Sequence, residues 1–212
     1  SNATVGHGLG VALKFLIVKN RDAAEGWSIQ SQILTGNTNG TLHFNTDAEY
    51  TGSSTAFQGT LPTSTVFSIG TAGNTNTNTQ KYVAYCFSDV TGYQKIGSYT
   101  GNGSTTGPSV TGLGFQPAWI LIKSTSIGDE WVIFDNTRNP SNPTNLRLTP
   151  NSSGSEQSSQ SVNILSDGFQ PITTGGNINQ SGATYIYMAI ADTRNAKFNF
   201  DASGNKNNWT PN

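Results

Sequence analysis

The chain repeats itself, and that constrains its fold more than any other feature. Gly8-Leu9-Gly10-Val11 leads into Phe15-Leu16-Ile17-Val18-Lys19, and Gly112-Leu113-Gly114-Phe115 leads into Trp119-Ile120-Leu121-Ile122-Lys123. The separation of 104 residues between Gly8 and Gly112 holds without a gap through Trp27 and Trp131, Ile29 and Ile133, and Leu42 and Leu146, with Glu25 against Asp129. It then slips by a residue or two, so that Phe67 matches Phe169, Tyr82-Val83 matches Tyr185-Ile186, and Asp89 matches Asp192. A fixed internal period means a structural unit used twice.

Each copy reads as a set of short strands. Phe15–Lys19 and Trp119–Lys123 are unbroken apolar runs, the pattern of a central strand covered on both faces, and the terminal lysine marks where each strand is expected to reach water. Trp27–Gln30 and Trp131–Phe134 follow polar hairpins. Thr41–Asn45 and Asn145–Thr149 alternate as half-buried strands do. Val66–Ile69 and a segment around Phe169 come next, and the aromatic, β-branched Tyr82–Phe87 and Tyr185–Ala191 close the copies. Tyr93–Thr100 is a further strand that opens the second copy. The first copy has no counterpart, since the sequence begins where that strand would lie, and Lys197–Phe200 is a similar strand at the end. No capped, helix-period stretch occurs, and polar loops such as Ala72–Thr79 and Asn151–Gln160 are expected at the sheet ends.

The expected fold is all-β: two tandem homologous antiparallel β-sandwich modules, of jelly-roll or immunoglobulin size, packed together. Ser1-Asn2-Ala3 reads as the remnant of a removed purification tag. Residues 4–92 form the first module and residues 93–195 the second. Residues 196–212 are a closing strand and linker to a further domain.

Composition bears on function chiefly by exclusion. The chain of 212 residues is 33% apolar and only 11% charged, with 24 glycines and a net charge of −1. Without a basic stripe, nucleic acid is not an expected partner. No run approaches the ~20 apolar residues of a membrane helix, so membrane insertion is not expected either. The single cysteine, Cys86, sits in a core-strand context and permits no internal disulfide.

Catalytic arrangements are scarce. Of the two histidines, His7 lies near the start of the chain and His43 falls between Leu42 and Phe44 on an alternating strand, pointing outward, so neither suggests a triad. Two opposed carboxylates, as glycoside hydrolysis needs, would require Asp135 to meet Asp167 or Glu156. No enzyme is therefore expected. The clearest candidate binding residues are Asp129, Trp131, Asp135, Asn136 and Arg138, an aromatic with polar and charged side chains near one hairpin, as in sugar-binding sandwiches. The competing reading makes Trp131, which is matched by Trp27, a packing residue, and makes Asp135 and Arg138 a local ion pair. Asp201, Ser203 and Asn205 space oxygen ligands two apart, as calcium loops do, although no later glutamate completes the loop. Calcium is thus the one cofactor to consider, and the alternative is a plain polar turn.

The run Ile96-Gly97-Ser98-Tyr99-Thr100-Gly101-Asn102-Gly103-Ser104, followed by Gly112-Leu113-Gly114-Phe115-Gln116-Pro117-Ala118-Trp119-Ile120-Leu121-Ile122-Lys123 and Asp135-Asn136-Thr137-Arg138-Asn139-Pro140, resembles a module of structural proteins from marine tailed bacteriophages and their prophages. The ending Asp201-Ala202-Ser203-Gly204-Asn205 through Trp209-Thr210-Pro211-Asn212 is similar to a passage that leads into a lectin-like domain in such proteins. The first copy departs from the pattern, with Ala12-Leu13-Lys14 in place of Gln116-Pro117-Ala118 and no Asp-x-x-Arg-x-Pro stretch. The resemblance implies a virion location in a tail or tail fibre. It further implies a spacer or adhesin role, other tail proteins as partners, a host-surface glycan as ligand and a homotrimer as assembly. The family carries no agreed site residues, so none transfers. The alternative reading is a carbohydrate-binding accessory module of a larger surface or hydrolytic protein.

Overall fold

Most elements recur at the repeat spacing in the computed structural model, which describes residues 1–34, 40–50 and 55–192, although strands at 42–43, 94–100 and 162–165 occur in one copy alone among those residues. The first copy contains β1 (Ala3–Gly6), β2 (Phe15–Asn20), β3 (Ser28–Ser31), β4 (Leu42–His43), β5 (Val66–Ile69), the one-turn helix α1 (Gly73–Asn76) and β6 (Tyr82–Phe87). The second contains β7 (Gln94–Thr100), β8 (Val110–Thr111), β9 (Pro117–Ser124), β10 (Val132–Asp135), β11 (Val162–Leu165), β12 (Gly168–Pro171), the one-turn helix α2 (Gly176–Asn179) and β13 (Thr184–Ala191). The pairings between these strands are antiparallel.

Among the described residues the strands form four sheets: β1-β5, β4-β3-β2-β6, β10-β9-β13-β7 and β11-β12-β8. Three apolar clusters show how they stack. Leu16, Val18 and Phe67 pack within the first copy. Ile120, Ile122, Phe169 and Tyr185 pack within the second. Between them, Phe15, Ile29 and Leu42 of the first copy meet Ile96, Leu121, Trp131, Ile186 and Met188 of the second. The two four-stranded sheets therefore face each other, each backed by its own small sheet. Phe15 and Ile17 face the other copy while Leu16 and Val18 face inward, because successive side chains on a strand point to opposite sides. Both sides carry apolar packing, which is why the central strands show no polar alternation.

Local details differ from the sequence expectation in instructive ways. The 145–149 segment forms only isolated bridges, Arg147 to Gln157 and Leu148 to Ile133, rather than a strand. Polar loops at 73–76 and 176–179 wind into single helical turns despite poor helix formers, Gly-Asn-Thr-Asn and Gly-Asn-Ile-Asn. A tyrosine holds each turn. The Tyr82 hydroxyl donates to Gly73 O at 2.8 Å and accepts from Thr77 N at 2.7 Å, and the Tyr185 hydroxyl repeats this with Gly176 O at 2.6 Å and Gln180 N at 2.8 Å. Lys123 does not reach water: it is fully buried, and its Nζ donates to Asp47 O at 3.0 Å and Asp129 O at 2.7 Å. His43 is half-buried rather than outward, with its Nδ1 enclosed and its pKa lowered by burial. Lys197–Phe200 and the candidate calcium residues Asp201, Ser203 and Asn205 lie outside the described residues.

Candidate functional site

Asp135 ends β10, and its carboxylate shapes the turn that follows. Oδ1 accepts from Thr137 N at 3.0 Å and Arg138 N at 2.8 Å, and Oδ2 accepts from Arg138 Nε at 2.6 Å. Arg138 Nη1 reaches Glu156 Oε2 at 2.5 Å. Asn136 N donates to Ala118 O at 2.9 Å, which ties the turn to the start of β9. Burial alone would raise the Asp135 pKa, but the backbone and guanidinium hydrogen bonds from Arg138, its charge and the Thr137 N–H together hold it below the usual carboxylate range. A carboxylate so engaged with three donors stays ionised at neutral pH and holds no proton to donate. Asp135 and Glu156 do meet, through the shared guanidinium. Asp167 is engaged elsewhere: it accepts from Gly112 N at 3.0 Å and Gly114 N at 2.6 Å and so fixes the Gly-Leu-Gly loop.

The other two candidates lie at the opposite end of β10. The Asp129 carboxylate accepts from Asn177 Nδ2 and from Glu130 N, and it packs against Gly176 at the start of α2. Glu25 lies against Gly73 of α1 at the matching position, so an acidic side chain abuts the helical turn in both copies. Trp131 is 1% exposed. Its ring is edge-on to Phe15 and Phe44, and its Nε1 donates to His43 O at 3.0 Å. It therefore fills the space between the copies and presents no face to a ligand. The structure thus brings Asp135, Asn136 and Arg138 together, separates them from Asp129, and buries Trp131.

Two features went unsingled in the sequence. Trp27 occupies the repeat position of Trp131 but stacks on Tyr85, at 6.3 Å and 17° between ring planes, and Tyr85 is 43% exposed. This is a surface aromatic pair on the inner sheet of the first copy, beyond the area the second copy covers. The other feature is a cavity of about 440 Å³ beside β6, lined by Phe67, Tyr82 and Ala84 among others. The signal for both was a comparison of the copies position by position: Tyr85 stands against Met188, and Ala84 against Tyr187. Among the described residues, no group of three or more His, Cys, Asp or Glu side chains could hold a metal ion, and no helix is long and apolar enough to cross a membrane.

No curated protein and no solved structure matches the chain. A family model does match, over residues 1–194, nearly the whole length and both copies of the repeat, and the chain accordingly belongs to the family described as a domain of unknown function, DUF7483.

Proposed function

We propose that the chain is a non-catalytic structural module of a phage virion, part of a tail or tail fibre, acting as a spacer or host-surface adhesin. The observation that carries this reading is the core shared by the two copies, with Trp131 wedged between Phe15 and Phe44. A unit welded in this way resists bending at the junction, as a spacer must. The Arg138 guanidinium engages both the Asp135 and the Glu156 carboxylates, and this mutual pairing favours a structural role for the loop. The virion setting, the other tail proteins as partners and a homotrimer come from the motif resemblance. Antibodies raised against the chain and applied to particles from its source should label tail appendages in electron micrographs. Particles that lack the label, with the protein recovered elsewhere, would refute the proposal.

One observation favours a second reading, glycan binding. The Trp27–Tyr85 pair offers a partly exposed aromatic surface on a sheet, the kind of surface on which a sugar ring stacks. A glycan array should then give hits that Tyr85→Ala and Trp27→Ala abolish. Hits insensitive to both changes, or none at all, would sink this reading.

A further inference from the structure

Among the described residues, the copies differ most at the edge of the closing strand, which is paired in one copy and unpaired in the other. In the second copy, β7 pairs along the outer edge of β13, with Tyr99 opposite Tyr185 and Gly97 opposite Tyr187. Tyr99 enters the core. Its ring stacks on Tyr185 at 5.0 Å and lies edge-on to Phe169 at 5.8 Å, and its hydroxyl donates to Ile178 O at 2.7 Å. Gly97 passes under Tyr187 so closely that a Cβ there would come within 2.6 Å of the ring carbon Cζ.

In the first copy, β6 takes the place of β13 and is the last strand of its sheet. Among the described residues no strand pairs with its outer edge, and Ala84 and Tyr85 are exposed there. Phe67, Thr75 and Tyr82 occupy the repeat positions of Phe169, Ile178 and Tyr185, the residues that hold Tyr99. All three line the 440 Å³ cavity, and so does Ala84, which stands where Tyr187 stands in the other copy.

We propose that the first copy is a receptor site for an extended polypeptide strand of the β7 kind. The strand pairs antiparallel with β6 and inserts an aromatic side chain into the cavity against Tyr82 and Phe67. This is recognition by strand addition, in which backbone hydrogen bonds give affinity and pockets for alternate side chains give specificity. The occupant is a strand rather than a small molecule because the second copy is the filled form of the same site, in the same register. One difference sharpens the specificity. With Ala84 in place of Tyr187, the position that must be glycine in β7 becomes open space, so the preferred strand carries a bulky apolar side chain two residues before its aromatic. The inference does not depend on the virion setting.

The test uses the full chain and labelled peptides of the sequence Tyr93–Asn102, followed by fluorescence anisotropy. The β7 peptide should bind saturably, and its Gly97→Leu version about tenfold more tightly because it fills the space over Ala84. The Tyr99→Ala peptide should bind at least about tenfold more weakly. Ala84→Tyr in the protein should reverse the preference between glycine and leucine. Failure of all the peptides to bind, or binding indifferent to these changes, would overturn the proposal, as would dimers in which two β6 edges pair and exclude peptide. A second variant supplies the strand in cis. Asn76 Nδ2 donates to Ser1 O at 2.6 Å much as Asn179 Nδ2 donates to Ser104 O at 2.8 Å, so a strand joined ahead of Ser1 enters from the right direction. Duplicating Tyr93–Gly103 ahead of residue 1 should raise the melting temperature by several degrees and abolish peptide binding, and an unchanged melting temperature with binding retained would contradict the site.

Discussion

Truncating the two repeat-related tryptophans should have very different consequences. Trp131 is 1% exposed, makes edge contacts with Phe15 and Phe44, and satisfies the His43 carbonyl. Trp131→Ala empties a site between two sheets that are each pinned by their own outer layer, so the walls collapse little, and the cost should fall near about 3–5 kcal/mol. The His43 carbonyl also loses its shorter hydrogen bond and keeps only the Thr46 N–H at 3.4 Å, which adds up to about 1 kcal/mol if water does not reach it. Trp27 is half-buried and stacks on a partner that is itself 43% exposed, so Trp27→Ala should cost about 1–2 kcal/mol. Trp131→Phe keeps a ring in place but loses the hydrogen bond, and should lie between the two. Urea unfolding followed by far-UV circular dichroism measures all three, and the denaturant slope should stay constant if the native fold is kept. For a chain of this size, the Trp131→Ala loss corresponds to a fall in melting temperature of roughly 6–20 °C. A Trp131→Ala cost under about 1 kcal/mol, or a Trp27→Ala cost equal to it, would refute the assignment of Trp131 as the wedge between copies.

Other consequences can be checked in the same apparatus. Burial lowers the Lys123 pKa to about 8, although Asp129, Asp47 and Glu49 oppose the shift. The native state thus releases this proton near pH 8 while the unfolded chain keeps it to an ordinary lysine value of 10.5. The unfolded state binds the extra proton across that window, so stability should rise with pH by up to about 1.4 kcal/mol per unit from about pH 8. The rise should end near about pH 10, where unfolded tyrosines begin to ionise while buried Tyr99 and Tyr187 keep their protons. Lys123→Met should abolish the rise, and a flat wild-type profile would contradict the burial of a charged amine. Thr79 adopts φ 66° where the second copy has Gly182 at φ 76°, so Thr79→Gly should stabilise by about 1 kcal/mol and Gly182→Thr should destabilise by at least as much, as thermal melts would record. Asp135→Asn weakens the guanidinium pairing and the charge assistance within the turn, and should cost about 1–2 kcal/mol by urea titration.

Much of this arrangement was legible from residues, and the rest was hidden for physical reasons. The unbroken apolar runs at Phe15–Val18 and Trp119–Ile122 told of strands covered on both faces, and the faces proved to be a small sheet on one side and the other copy on the other. The duplication located the closing strands, and Tyr93–Thr100 was recognisable as the strand that opens the second copy. The fates of Trp27 and Trp131 were not legible, because identical residues at matching repeat positions are distinguished by where the second copy covers the first. The burial of Lys123 was hidden for a similar reason: the carbonyl of Asp47 that accepts one of its hydrogen bonds belongs to the other copy. The helical turns escaped notice because a tyrosine nine residues further along holds them, not their own propensity. At the candidate site, the turn built on Asp135 and Arg138 was legible from its spacing, but Asp129 could not be separated from it, since a strand places its two ends apart however close they are in sequence.

Native-state hydrogen exchange at the amides of the two central strands, β2 and β9, tests the shared core most directly. Copies that share a core open together, so the slowest amides of Leu16, Ile17, Leu121 and Ile122 should report one common free energy with the same denaturant slope. Two distinct free energies, with the β2 amides exchanging through a partial opening that leaves β9 protected, would show that the copies stand alone and contradict the account.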